Sequence, residues 1–177
     1  RDPDGRGHGA GNPHIWLDPV LVIGMTDRIA DALAAMDPAG AGEYRANATA
    51  YRERLTALDA DIRKTVGTFR IRSFVSFHAA WDYFARRYGL ASAGTIEESP
   101  GREPTPRQLA SIVSEIRRLG IPAVFTEPQL NPKPAEVIAR EAGVRIVPVD
   151  PEGGLPGRTT YIDLMRWNLG RMAEALR

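Results

Sequence analysis

The chain has three histidines and no cysteine, so any imidazole or metal chemistry has to start from His8, His14 and His78. His8 lies among alternating glycines, the ordinary setting of a solvated loop histidine. His14 stands in Asn12-Pro13-His14-Ile15-Trp16-Leu17-Asp18-Pro19, two residues before a large aromatic; its plain alternative is a half-buried ring packed on Trp16. His78 follows the apolar run Phe74-Val75-Ser76-Phe77, where a histidine can also simply serve the start of a helix. Glu97-Glu98, Glu127 and Asp150 follow further apolar runs in the same way, although Glu127-Pro128 and Asp150-Pro151 are also common ways to open a loop. Two imidazoles and a carboxylate make a ligand set for a first-row divalent ion, zinc foremost, without any thiolate. Other chemistries lack their parts. Without cysteine there is no thiol nucleophile, disulfide scaffold or Cys-type zinc finger. No HExxH, GxSxG or GxxxxGK[ST] occurs. Ser76 lies close to His78, but no oxyanion hole can be placed beside them.

Those residues need elements to position them. Asp18-Pro19 is a strong helix start, an N-cap followed by proline at the first helical position, and Val22, Met25, Ile29, Leu33 and Met36 follow at helical spacing. A second helix is expected from about Gly42 to Val66, with Tyr44, Tyr51, Leu55, Leu58, Ile62 and Val66 on its apolar stripe. About 25 residues at 1.5 Å rise make it roughly 37 Å long, enough for a spine running past two packed units. Beyond it the rhythm changes to short apolar runs alternating with helices: strands near 74–77, 91–96, 122–126 and 144–149, and helices near 79–88, 105–119, 133–142 and 159–176. That alternation predicts an α/β fold with a four-stranded parallel sheet flanked by helices. Ligand sites in such sheets lie beyond the carboxyl ends of the strands, which is where His78, Glu97-Glu98, Glu127 and Asp150 fall.

Length and composition set the frame. At 177 residues the chain is long enough for one domain and a part, at ~150 residues per domain. Lys+Arg number 23 and Asp+Glu 22, so the net charge of +1 gives no field for nucleic acid or an anionic membrane. No apolar run approaches the ~20 residues that cross a bilayer. Residues 1–13 have loop composition, and the opening Arg1-Asp2-Pro3 reads as the continuation of a longer chain.

Taken together, these segments resemble the solute-binding proteins of zinc and manganese ABC transporters. Asn12 to Pro19 is similar to the DPHxWLDP signature of that family. Tyr44-Arg45-Ala46-Asn47 through Asp59 resembles its interlobe helix, and Phe77-His78-Ala79-Ala80-Trp81-Asp82-Tyr83-Phe84 with Tyr88-Gly89-Leu90 its second signature. Glu103-Pro104-Thr105-Pro106 and Phe125-Thr126-Glu127-Pro128-Gln129 resemble the segments that follow. The resemblance implies two lobes joined by one rigid helix with a metal held between them. Residues 1–40 would be the end of the first lobe with a Gly-rich loop, 41–70 the spine helix, and 71–177 the second lobe. It implies His14, His78 and Asp150 as metal ligands, with Glu127 near the site and a further histidine of the first lobe without counterpart here. It implies zinc, with manganese second because a histidine stands at position 78; an ABC permease as partner; a monomer; and a periplasmic or extracytoplasmic location, with lipid anchoring through upstream residues. The loop carrying His14 is expected to be the weak point of the site, since the first lobe would hold it. A His/His/Asp metal hydrolase and an adhesin-like surface protein are the alternatives.

Overall fold

A computed structural model describes residues 11–97 and 103–177. His8 and Glu98, both singled out above, lie outside the described residues. A 3₁₀ turn at Ile15–Leu17 leads into α1 (Pro19–Met36), and α2 (Ala41–Val66) packs back along it. The rest alternates: β1 (Ser73–Ser76), α3 (Asp82–Tyr88), β2 (Ala91–Thr95), α4 (Pro106–Leu119), β3 (Ala123–Thr126), α5 (Lys133–Ala142), β4 (Arg145–Pro148) and α6 (Tyr161–Leu176). The four strands form one sheet in the order β2-β1-β3-β4, and every pairing is parallel. The predicted fold class is therefore the observed one, with boundaries shifted by up to three residues.

Local chemistry explains the helix starts. Asp18 caps α1, its side chain accepting from the backbone N–H of Val20, with Pro19 in the first turn. Thr105 and Gln108 form a reciprocal capping box on α4, and Thr160 caps α6. Gly89, Gly120 and Gly143 end α3, α4 and α5 in the left-handed conformation, which a side chain would resist.

The strands alternate their side chains between two cores, as a pleated sheet requires. Phe74 and Phe125 face α2, α3 and α6, their rings 5.7 Å apart, in a core with Leu55, Leu58, Ile62, Trp81, Phe84, Met165 and Leu176. Val75, Phe77 and Val124 face α4 and α5, against Ile112, Ile116 and Ile138. The end of α6 is tied to the chain entering β1: Leu176 O accepts from the N–H groups of Arg70 and Ile71 at 2.9 and 3.1 Å.

One sequence expectation is overturned. The later part of the apolar spacing read on α1 is not buried here: Ile29 is 58% exposed, Leu33 41% and Met36 84%. The residues α1 buries are Pro19, Ala30 and Ala34. Small side chains let two helices approach closely; of the predicted stripe, Val22 packs against the core while Ile29, Leu33 and Met36 are exposed. Tyr44, placed on the α2 stripe, is only half-buried and donates its hydroxyl to Asp37 at 2.8 Å.

Candidate metal centre

The carboxyl ends of the strands converge as the topology requires. His78 lies two residues beyond β1, Glu97 two beyond β2, Glu127 directly after β3 and Asp150 two beyond β4. Glu97, Glu127 and Asp150 are all buried. His14 arrives from outside the sheet, on the segment that opens the 3₁₀ turn.

His14 and His78 meet. Their Nε2 atoms are 3.1 Å apart and their rings cross edge to face with centroids 4.9 Å apart. The opposite nitrogen of each ring is engaged. His78 Nδ1 lies 2.8 Å from Oε1 and 2.7 Å from Oε2 of Glu127. His14 Nδ1 lies 2.7 Å from Asn12 Oδ1. Both partners are acceptors, so in the neutral rings both Nδ1 atoms carry the proton and both Nε2 atoms present lone pairs to each other. Two lone pairs at that distance repel unless an electrophile lies between them. Two nitrogens bound tetrahedrally at 2.0–2.1 Å to one zinc ion would stand about 3.3 Å apart, so the pair is close to the spacing such an ion needs. The carboxylate behind His78 is the arrangement that orients a metal-binding imidazole. His14 is held below the ordinary histidine range, first by burial and then by its neighbour His78, with Asp82 opposing. Its Nε2 therefore stays unprotonated to lower pH than a free imidazole.

Asp150 is differently placed. Its Oδ1 accepts from Gln129 Nε2 at 2.8 Å and from the N–H groups of Glu152 and Gly153 at 3.0 Å each, and its Oδ2 accepts from Arg158 Nε at 2.5 Å. Burial pushes its carboxyl up, but the hydrogen bonds from Gly153, Gln129, Glu152 and Arg158 together win and hold it below the usual carboxylate range. Arg158 also stacks over Trp167, 4.0 Å from the ring centre. Among the described residues no group of three or more His, Cys, Asp or Glu side chains is arranged to hold a metal ion. The structure thus brings two of the three sequence-nominated residues together and gives the third a full set of other partners.

The segment bearing His14 is not loose, contrary to the expectation above. Asn12 Nδ2 donates to Ala79 O at 2.8 Å and to Asp82 Oδ2 at 3.0 Å, and Tyr83 donates its hydroxyl to Asn12 O. Trp16 Nε1 donates to Pro151 O, Tyr161 to Trp16 O, and Arg87 pairs with Asp18, each at 2.8 Å. Residues 71–177 supply every one of these partners. Sequence reading missed Asn12, Asp82, Gln129 and Arg158 as contributors. Asn before Pro is a turn signal that could have drawn attention to the first; nothing in the local sequence marks Arg158.

Comparison with known proteins identifies the family. Residues 1–175 match the family described as zinc-uptake complex component A, periplasmic (ZnuA). The chain is 33% identical over 171 residues to the zinc-binding protein AdcA of Streptococcus pyogenes serotype M6, covering 94% of this chain and 33% of that protein. It is 35% identical over 155 residues to the high-affinity zinc uptake system protein ZnuA of Brucella abortus strain 2308, covering 86% and 46%. Among solved structures, the laminin-binding protein Lmb of Streptococcus agalactiae, described as bifunctional with adhesin and metal-transporting activity, superposes with a TM-score of 0.87 at 32% identity, covering 94% of this chain and 65% of that one. The chain thus spans between a third and a half of the length of these two curated relatives.

Proposed function

Since the chain belongs to the family of periplasmic zinc-uptake complex component A proteins, we propose that it carries most of the cargo site of a zinc receptor outside the cytoplasm that delivers its ion to an ABC permease. The observation that carries this reading is the His14–His78 pair, with the two Nε2 atoms 3.1 Å apart and each Nδ1 beside an acceptor oxygen. Residues 1–40 then close one lobe, 41–70 span between lobes, and 71–177 form the second lobe. The exposed apolar side of α1 suits the first of these assignments, since Ile29, Leu33 and Met36 face away from the sheet domain.

His14 and His78 are the first two ligands. Asp150 is the third, and it reaches the ion by giving up Arg158 at Oδ2 while Oδ1 keeps its three donors. Two nitrogens favour zinc over manganese on ligand softness and on the affinity order. Capture rather than catalysis fits the carboxylates. Glu127, the nearest candidate base, has both oxygens on His78 Nδ1 and so does not face an open coordination position where it could activate water.

The test is competition for zinc with a chromophoric chelator at neutral pH, using the protein and its His78→Ala variant. Zinc binding that manganese cannot displace at equal concentration, and that collapses in the variant, supports the reading. Binding unchanged by the loss of His78 overturns it.

A further inference from the structure

We infer that Asn12 is a positioning residue, which joins the two ligand-bearing segments and sets the tautomer of His14; this rests on the metal-site reading above. The orientation of its carboxamide follows from the neighbours. Nδ2 faces Ala79 O and Asp82 Oδ2, both of which only accept, and Oδ1 faces the backbone N–H of His14, which only donates, at 3.0 Å. With Oδ1 fixed as an acceptor, the ring contact at 2.7 Å requires His14 Nδ1 to be the donor. Nε2 is left as the free lone pair, aimed at His78.

Its other hydrogen bonds give Asn12 a second task. Ala79 and Asp82 lie one and four residues beyond His78, at the entry to α3. A single side chain thus ties the His14 segment to the His78 segment across 67 and 70 residues of sequence. Tyr83 completes the clasp by donating to the Asn12 carbonyl at 3.0 Å. The two imidazoles have different supports: His78 is backed by the carboxylate of Glu127, His14 by a neutral amide whose own donors end on a backbone carbonyl and a carboxylate. Asn12 touches both ligand segments through its side chain while also contacting a ligand ring.

A plain turn residue would predict less. The contact from His14 N–H to Asn12 Oδ1 spans two residues, as in an ordinary Asx turn, and would need neither the ring contact nor the two Nδ2 bonds. Two variants separate the roles. Asn12→Asp keeps the turn acceptor and the ring acceptor but removes both Nδ2 donors and sets one carboxylate against Asp82. Adding Asp82→Asn restores a donor across that contact, with the polarity reversed.

The experiment reads the metal-free protein first, by nitrogen-15 spectra of the histidine rings at pH 7.5. His14 is expected as the Nδ1–H tautomer in the native protein and as a mixture in Asn12→Ala. Zinc affinity by chelator competition is expected to fall about 10- to 100-fold in Asn12→Ala, the range for lost outer-shell partners of a metal ligand. It should also fall in Asn12→Asp and recover at least tenfold when Asp82→Asn is added. An unchanged His14 tautomer in Asn12→Ala, or no recovery in the double variant despite a native melting profile, overturns the inference. His78→Ala distinguishes the two levels: if it leaves zinc binding intact, the metal site itself is wrong. If it abolishes binding while Asn12→Ala changes neither tautomer nor affinity, only the role of Asn12 is wrong.

Discussion

Replacing Arg158 with glutamine tests the third ligand directly, because the structure sets two consequences of opposite sign. The Arg158 side chain is 12% exposed and that of Asp150 is fully buried, with 2.5 Å between Nε and Oδ2. Stranding a buried charge typically costs ~3–5 kcal/mol. Here Oδ1 keeps Gln129, Glu152 N–H and Gly153 N–H, so the loss is that of one charged hydrogen bond, about 1.5–3 kcal/mol of folding stability. If Asp150 has to release Arg158 to reach zinc, the same energy is subtracted from affinity in the native protein. Arg158→Gln returns it, and zinc should bind roughly ten- to hundredfold more tightly at about 1.4 kcal/mol per decade. Urea denaturation of the metal-free protein measures the first effect and chelator competition the second. Asp150→Asn in the Arg158→Gln background should cancel the gain. Affinity that stays level or falls in Arg158→Gln, with stability reduced as expected, would refute the exchange and leave Asp150 as an anchor of the 150–158 loop alone.

Two further outcomes follow from the electrostatics and the surface. His14 has a folded-state pKa below its ordinary value of 6.5, so the unfolded chain takes up that proton first. Its contribution to stability is complete above about pH 6.5 and is lost as pH falls from there to the lowered folded value. The difference in urea midpoint between the native protein and His14→Asn should therefore narrow on acidification below pH 6.5, and a widening gap would reverse the assigned direction. Ile29→Ser and Leu33→Ser, at exposed positions of α1, should each alter stability of this chain by no more than about 0.5 kcal/mol, whereas Leu58→Ala, fully buried, should cost about 2–5 kcal/mol. Thermal melts compare them, and equal losses would mean that α1 buries its stripe after all.

The sheet was legible because β1 and β3 are short apolar runs closed by polar residues, and α4 begins with the recognisable start Thr105-Pro106. His78 could be nominated on position alone, as a residue beyond a parallel strand. The face that α1 buries could not be read, because periodicity identifies an apolar stripe but not whether a partner lies against it. Ala30 and Ala34 are the buried residues in the C-terminal half of α1 instead. The clasp on His14 and the Arg158–Asp150 pair were equally hidden. The clasp joins residues about 70 apart and the ion pair spans a glycine-bearing loop, so neither leaves a local pattern.

The bonds that seat the His14 segment have a bearing on biosynthesis. Trp16 is held by Pro151 and Tyr161, 135 and 145 residues further along, and Asn12 by Ala79 and Asp82. A chain made from its amino end exposes His14 long before the residues that fix it exist. Contacts of such sequence separation form late, after the entropy of closing large loops has been met. The two-imidazole pair is therefore among the last features to assemble. Until α6 docks and Leu176 accepts from Arg70 and Ile71, the nascent chain offers only isolated histidines, which hold divalent ions weakly. On the proposed ligand set, tight metal retention would require these long-range contacts to be in place.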